Sequence, residues 1–218
     1  MNMDREEIIT LLRKHTQGYA PPLINSMIDE FGKNPFIILI ACLLSLRVKD
    51  LTTIHVCRVL FDRAKTPQEI LEIPLHELEE IIFKTGFYRN KAQVLREVSR
   101  DILERFAGVV PGTFEELISI KGIGNKTANL VLGMAFDVPR ICVDTHVHRI
   151  SNRLGLIKTK TVEQTEAALE KELPKRDWII WNKLLVMWGQ NICVPISPKC
   201  SGCAISHLCK KVGVTKHR

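Results

Sequence analysis

Four cysteines gather in the segment "CVPISPKCSGCAISHLC": Cys193, Cys200, Cys203 and Cys209, spaced C-x6-C-x2-C-x5-C. Thiols at this spacing can pair, bind one metal ion or wrap a metal cluster. Two disulfides would suit a secreted chain, and nothing here marks secretion. A tetrahedral zinc site takes two ligands from a CxxC knuckle, but it usually pairs two such knuckles and only one is present. An iron–sulfur cluster is bulkier, needs one thiolate per iron, and suits wider, irregular spacing. Spacing alone leans only modestly toward the cluster over zinc. Pro195 and Pro198 stiffen the first loop, and Gly202 permits the tight turn inside CxxC. His207 shares the loop, but four thiolates already complete a ligand set. Cys42, Cys57 and Cys142 lie among apolar neighbours and read as small buried hydrophobes.

A second chemical feature is "KGIGNKTANLVLGMAF", residues 121–136. Gly122 and Gly124 bracket Ile123 in a hairpin between the short helix "TFEELISI" and a second helix starting at Asn125. Both glycines can take backbone angles closed to other residues, and Ile123 can plug into the core between the helices. Backbone N–H groups at such a turn make an anion pocket. In a basic protein the natural anion for such a pocket is a DNA phosphate, which would position a duplex without reading its sequence. On the glycines alone, a plain helical hairpin is the simpler reading. Lys126 falls in the first turn of the second helix, where the dipole disfavours a cation. It is either a solvated surface lysine or an amine that chemistry needs. Asp144, in "VDTHVHRISNRLG", is sufficiently explained as an N-cap. His146 and His148 stand two apart, diverge by ~200° on a helix, and make no paired metal site.

The elements that must carry these residues are helical. Asn34-Pro35 reads as an N-cap with Pro at N1, opening an apolar helix to Leu46. Thr66–Glu69 and Thr113–Glu116 both have capping-box spacing. Residues 90–106 put Val94, Val98, Ile102, Leu103 and Phe106 on one stripe. Residues 161–173 and 177–190 form two more helices, split at Pro174. Alternating strand patterns with hairpin turns are scarce and no repeat stands out, so the chain reads as all-α, with about ten short helices. The apolar stretch from Phe36 to Leu46 is too short for the ~20 residues of a membrane span and reads as a core helix. The first fifteen residues carry Asp4, Glu6 and Glu7 and do not read as a signal peptide. An intracellular protein is expected, cytoplasmic and nucleoid-associated in a prokaryote.

The chain has 218 residues and a net charge of +7. Lys199 to Arg218 holds four Lys and one Arg and no acidic residue. A basic balance suits nucleic acid, an anionic membrane or an anionic metabolite. At 45% hydrophobic and 25% charged, the composition excludes a disordered chain.

Together, the hairpin "IKGIGNKTANLVLGMAF", "VDTHVHRISNRLG" and the cysteine spacing resemble the endonuclease III family of DNA glycosylases. "LLSLRVKD" (Leu43–Asp50) and "GFYRNKAQVL" (Gly86–Leu95) look like that family's earlier blocks. The resemblance implies two helical lobes with a DNA cleft between them: a central lobe at 28–137, its hairpin at about 113–134, and a second lobe of 1–27 plus 138–218. It implies a [4Fe–4S] cluster on Cys193, Cys200, Cys203 and Cys209, within 193–209. It implies Lys126 as catalytic lysine and Asp144, eighteen positions on, as catalytic aspartate. Related adenine-mismatch glycosylases lack that lysine, and a thymine-mismatch enzyme has tyrosine. Lysine therefore argues for a glycosylase that also cuts the strand, and the family resemblance implies action on oxidised pyrimidines in double-stranded DNA. Partial burial and neighbouring basic residues are expected to favour the neutral amine. Lys199, Lys210 and Lys211 are expected near phosphates.

This chain departs from the family pattern at the DNA face. Arg47 stands where a glutamine often fills the emptied base site, and Phe87 where a leucine often wedges the opposite strand. Lys121 replaces a usual proline beside the phosphate pocket. Gly122, Ile123, Gly124, Lys121, Thr127, Arg47, Phe87 and His146 make up the expected DNA-contact set. Three rival readings remain: a non-catalytic DNA-binding protein with a structural metal, a monofunctional mismatch glycosylase, and a zinc-stabilised RNA-binding protein. DNA repair needs no stable oligomer, so a monomer is expected.

Overall fold

The computed structural model describes residues 5–218. Among these residues the secondary structure is twelve α-helices and two short 3-10 turns, with no strand. The chain divides into two compact units, Leu23–Val138 and Met1–Pro22 with Pro139–Arg218.

The central unit holds α2 (Leu23–Phe31), α3 (Pro35–Ser45), α4 (Asp50–Phe61), α5 (Pro67–Glu72), α6 (Leu75–Ile82), α7 (Tyr88–Phe106), α8 (Phe114–Ser119) and α9 (Asn125–Ala135). Its axis is α3, buried without a break from Phe36 to Leu44 and packed against α2, α4, α7 and α9. Each large apolar side chain so buried contributes roughly 1.5–3 kcal/mol. That explains the longest apolar run. No helix among the described residues is long and apolar enough to cross a membrane.

Local signals set where these helices begin. Asn34 Oδ1 accepts from the backbone N–H groups of Phe36 and Ile37 at 2.9 and 3.3 Å, with Pro35 at the first helical position. Thr66 and Glu69 form the full reciprocal box. The second expected box is only half made. Thr113 Oγ1 accepts from Glu116 N at 3.3 Å and donates to the Glu116 carboxylate at 2.6 Å. On α7 the buried stripe runs Lys91, Ala92, Leu95, Val98, Ser99 and Ile102. Val94, Leu103 and Phe106, expected inside, are half-buried.

The other unit holds α1 (Arg5–His15), α10 (Thr145–Leu154), α11 (Val162–Glu172) and α12 (Trp178–Asn191). Trp181 and Trp188 centre its core, with Ile8, Leu12, Val147 and Leu185. The buried Trp181 indole donates to Ser151 Oγ at 3.2 Å. The boundary falls before α2, between residues 22 and 23, and not at the expected 27/28. A cut at 27 would split α2, whose Met27 is fully buried in the central core. The first four positions of the expected lobe lie outside the described residues.

Candidate active site and cysteine loop

The hairpin is built by α8, the turn 120–124 and α9. Ile123 is buried in the central core and its N–H bonds to the carbonyl of Ile120 at 3.1 Å. Gly122 has φ +99°, which only glycine adopts without strain. A Cβ there would also lie 2.9 Å from Val94 Cγ1. Gly124 does not use that freedom: its backbone is extended, φ −98° and ψ 172°, and it is the N-cap of α9 with no side-chain cap. Lys126 therefore sits one position into the first turn of α9, and it is exposed. The partial burial expected of it is not present in the free protein. Lys121 is exposed beside Glu97 of α7, 3.3 Å away, so its charge is partly balanced. Thr127, expected at the DNA face, turns its side chain into the core.

Arg47 and Phe87 lie on separate loops but border one cleft. Its walls also include Leu43, Leu46, Asn90, Lys91, Val94 and Gly122, around a space of about 360 Å³. Both residues are left-handed, φ +60° and +50°, and both are exposed. Such backbone costs about 1–2 kcal/mol for a residue with a side chain and needs holding in place. The holding group was not foreseen from the sequence. Lys91, buried on α7, donates from Nζ to the carbonyls of Leu44 (2.8 Å), Leu46 (3.0 Å) and Thr85 (2.9 Å). Burial pulls its amine down to about 8. Its only sequence signal was membership of the block "GFYRNKAQVL".

In the other unit, Asp144 is the N-cap of α10. Oδ1 accepts from His146 N at 2.9 Å and from Val147 N at 2.8 Å, so the cap does not occupy Oδ2. His146 is half-buried, its Nδ1 3.1 Å from Arg149 Nη2. Arg149 reaches on to the carbonyls of Gly189 and Cys193 at 3.2 and 2.9 Å. One turn later, Arg153 donates to Cys193 Sγ at 3.4 Å and to the carbonyls of Val194 and Pro195 at 2.8 and 2.7 Å. Two arginines thus fasten α10 to the cysteine loop.

The four clustered thiols line one small hollow of about 20 Å³, with Trp188, Ile150 and Ile205 among its walls. No three His, Cys, Asp or Glu side chains among the described residues converge as a single metal ion would require. Four cysteine sulfurs are the donor set an iron–sulfur cluster takes, and hydrogen-bond donors aim at them. Besides Arg153, the Lys211 N–H points at Cys209 Sγ, 3.3 Å away. Burial raises the thiol pKa of Cys203 and Cys209, so a positive metal centre is what would make them thiolates. His207 is exposed beside Glu7 of α1, 3.4 Å away, outside the hollow.

Fold and hairpin define a class of protein. A family model described as "HhH-GPD superfamily base excision DNA repair protein" matches residues 40–175. Individual relatives narrow it. The endonuclease III of Thermotoga maritima is 42% identical over 193 residues, covering 86% of this chain and 91% of its own length. An endonuclease III solved in non-covalent complex with DNA is similar at a TM-score of 0.83 and 35% identity, covering 94% of both chains. An endonuclease III trapped as a covalent intermediate with DNA, an estranged-adenine complex, matches at a TM-score of 0.78 and 34% identity, covering 94% of this chain and 95% of that one. This chain belongs to the endonuclease III family.

Proposed function

We propose that the protein is a bifunctional DNA glycosylase and apurinic/apyrimidinic lyase that removes oxidised pyrimidines from double-stranded DNA in base excision repair. The observation that carries this reading is a lysine in the first turn of the helix behind the glycine hairpin, in a chain of this family. The damaged nucleotide must leave the stack to be reached. The Lys126 amine attacks C1′, the glycosidic bond breaks, and the base departs with the bonding pair and a proton. The sugar ring opens as the C1′–N imine forms. Loss of the C2′ proton then expels the 3′ phosphate and cuts the strand. Hydrolysis of the imine frees the enzyme. Attack requires the unprotonated amine, and desolvation under a bound duplex supplies the low-dielectric surroundings that an exposed Lys126 lacks.

Asp144 is the second catalytic group, accepting a proton or balancing positive charge at the sugar, with its orientation set by the cap to α10. Cys193, Cys200, Cys203 and Cys209 would hold a [4Fe–4S] cluster, whose chemistry when bound is to cross-link the basic loop into one shape. Lys199, Lys210 and Lys211 then face phosphates, with the hairpin at a separate phosphate. The protein acts as a monomer on chromosomal DNA.

The test is borohydride trapping on a duplex with one thymine glycol, with Lys126→Ala alongside. The expected result is a covalent adduct with wild type and none with the variant. An adduct that survives the substitution moves the nucleophile to another amine. No adduct on either thymine-glycol or abasic duplex, with DNA still bound, overturns the enzymatic reading.

A further inference from the structure

We infer that Lys91 is a positioning residue for opposite-base recognition: its single ammonium locks together the two loops that present Arg47 and Phe87. The inference rests on the proposed function for what those loops contact, but the lock itself is read from the central unit alone.

An ammonium has three N–H donors, and Lys91 directs them to three carbonyls. Leu44 lies in the last turn of α3 and Leu46 is its C-cap. Thr85 ends the 3-10 turn Phe83–Thr85. Terminal carbonyls of helices lack partners within the helix and carry the negative end of the dipole. A buried cation between two such ends therefore closes both at once. The bonded carbonyls are placed to control the two exposed side chains. The peptide from Leu46 leads directly into Arg47. Thr85 is followed by Gly86 at φ +62° and then by Phe87. Each exposed side chain thus follows a carbonyl pinned to the same nitrogen. Lys91 also borders the cleft that Arg47 and Phe87 share. Satisfying these carbonyls stabilises the fold by itself; the placement of both bonded ends immediately before the two exposed side chains is what points to positioning.

The test compares wild type, Lys91→Met and Leu78→Ala, the last a fully buried core change on α6 of the same unit that removes none of the three Lys91 hydrogen bonds. Each is bound to duplexes with a stable tetrahydrofuran abasic analogue opposite A, C, G or T, and excision is measured separately on thymine glycol opposite each base. Wild type is expected to spread its affinities by about tenfold. Lys91→Met should compress that spread to about twofold, while Leu78→Ala keeps the wild-type ratios despite its lower melting temperature. Hydrogen exchange of the wild type checks the lock without a variant. The Leu46 and Val48 amides, bonded to the carbonyls of Leu43 and Ser45, should exchange slowly for so exposed a loop. An unchanged spread in Lys91→Met, an equal loss in Leu78→Ala, no spread in wild type, or unprotected loop amides overturns the inference. If wild type never forms an adduct yet Lys91→Met still loses the binding spread, the lock stands and the glycosylase reading falls.

Discussion

Gly122 and Gly124 look alike in the sequence and do different work. Gly122 combines φ +99° with a neighbour 2.9 Å from where a Cβ would stand, so Gly122→Ala is expected to cost about 2 kcal/mol. Gly124 is extended and has open space around it. Gly124→Ala should cost about 1 kcal/mol or less, the difference between a fair and a poor N-cap. Chemical denaturation of the two variants distinguishes them. Lys91 gives a pH prediction. Its amine is near 8 folded and is expected near the ordinary 10.5 when unfolded. Between those values the unfolded chain binds more protons, so this group makes stability rise with pH across that window. The slope is at most about 1.4 kcal/mol per pH unit. Subtracting the same profile of Lys91→Met isolates it. Thiol chemistry offers a third test. The buried Cys57 thiol is pushed up to about 12, and Cys42 and Cys142 are also buried. If the clustered thiols hold the proposed cluster, its removal should open Cys193, Cys200, Cys203 and Cys209 to alkylation at pH 8, while Cys42, Cys57 and Cys142 stay unmodified by mass spectrometry.

At the scale of the element, the caps divide into those the sequence announces and those it hides. Asn34 and Thr66 were legible because an N-cap uses only neighbours in the chain: one side chain and backbone N–H groups two or three residues on. Asn34→Ala should cost about 1 kcal/mol by thermal melting, and it acts on the helix that α2, α4, α7 and α9 all pack against. Thr113 shares the spacing of Thr66, yet its hydroxyl bonds directly to Glu116, and spacing does not encode that choice of rotamer. The C-terminus of α3 was illegible for a stronger reason. Its capping group is an amine 47 residues from the carbonyl of Leu44, and a lysine on a helix reads as solvated until its surroundings are known. The candidate chemistry behaved likewise. The cysteines and Lys126 declare themselves by type and spacing, whereas Arg149 and Arg153, which tie α10 to the loop, resemble any charged face of a helix.

At the scale of the whole molecule, the central unit is one continuous stretch and the other is assembled from both ends of the chain. The fastenings of α1 are all remote in sequence. Arg5 pairs with Glu172 at 2.7 Å, Glu6 with Arg176 at 2.9 Å, and Glu7 with His207 at 3.4 Å. Exposed pairs of this kind are worth at most about 1 kcal/mol each. Burial of Ile8, Ile9 and Leu12 among the tryptophans of α12 is the larger attachment. Loss of the proposed cluster should therefore loosen the loop that α10 grips through Arg149 and Arg153, while leaving the amides of α3 and α9 protected from hydrogen exchange. Vectorial synthesis gives the split arrangement a further consequence. The ribosome makes α1 first, but its docking surface on α12 emerges more than 150 residues later, roughly 8–30 s at ~5–20 residues per second. Throughout that interval the central unit can close on its own, while a short amphipathic helix trails with its apolar face uncovered, a natural handle for a nascent-chain chaperone.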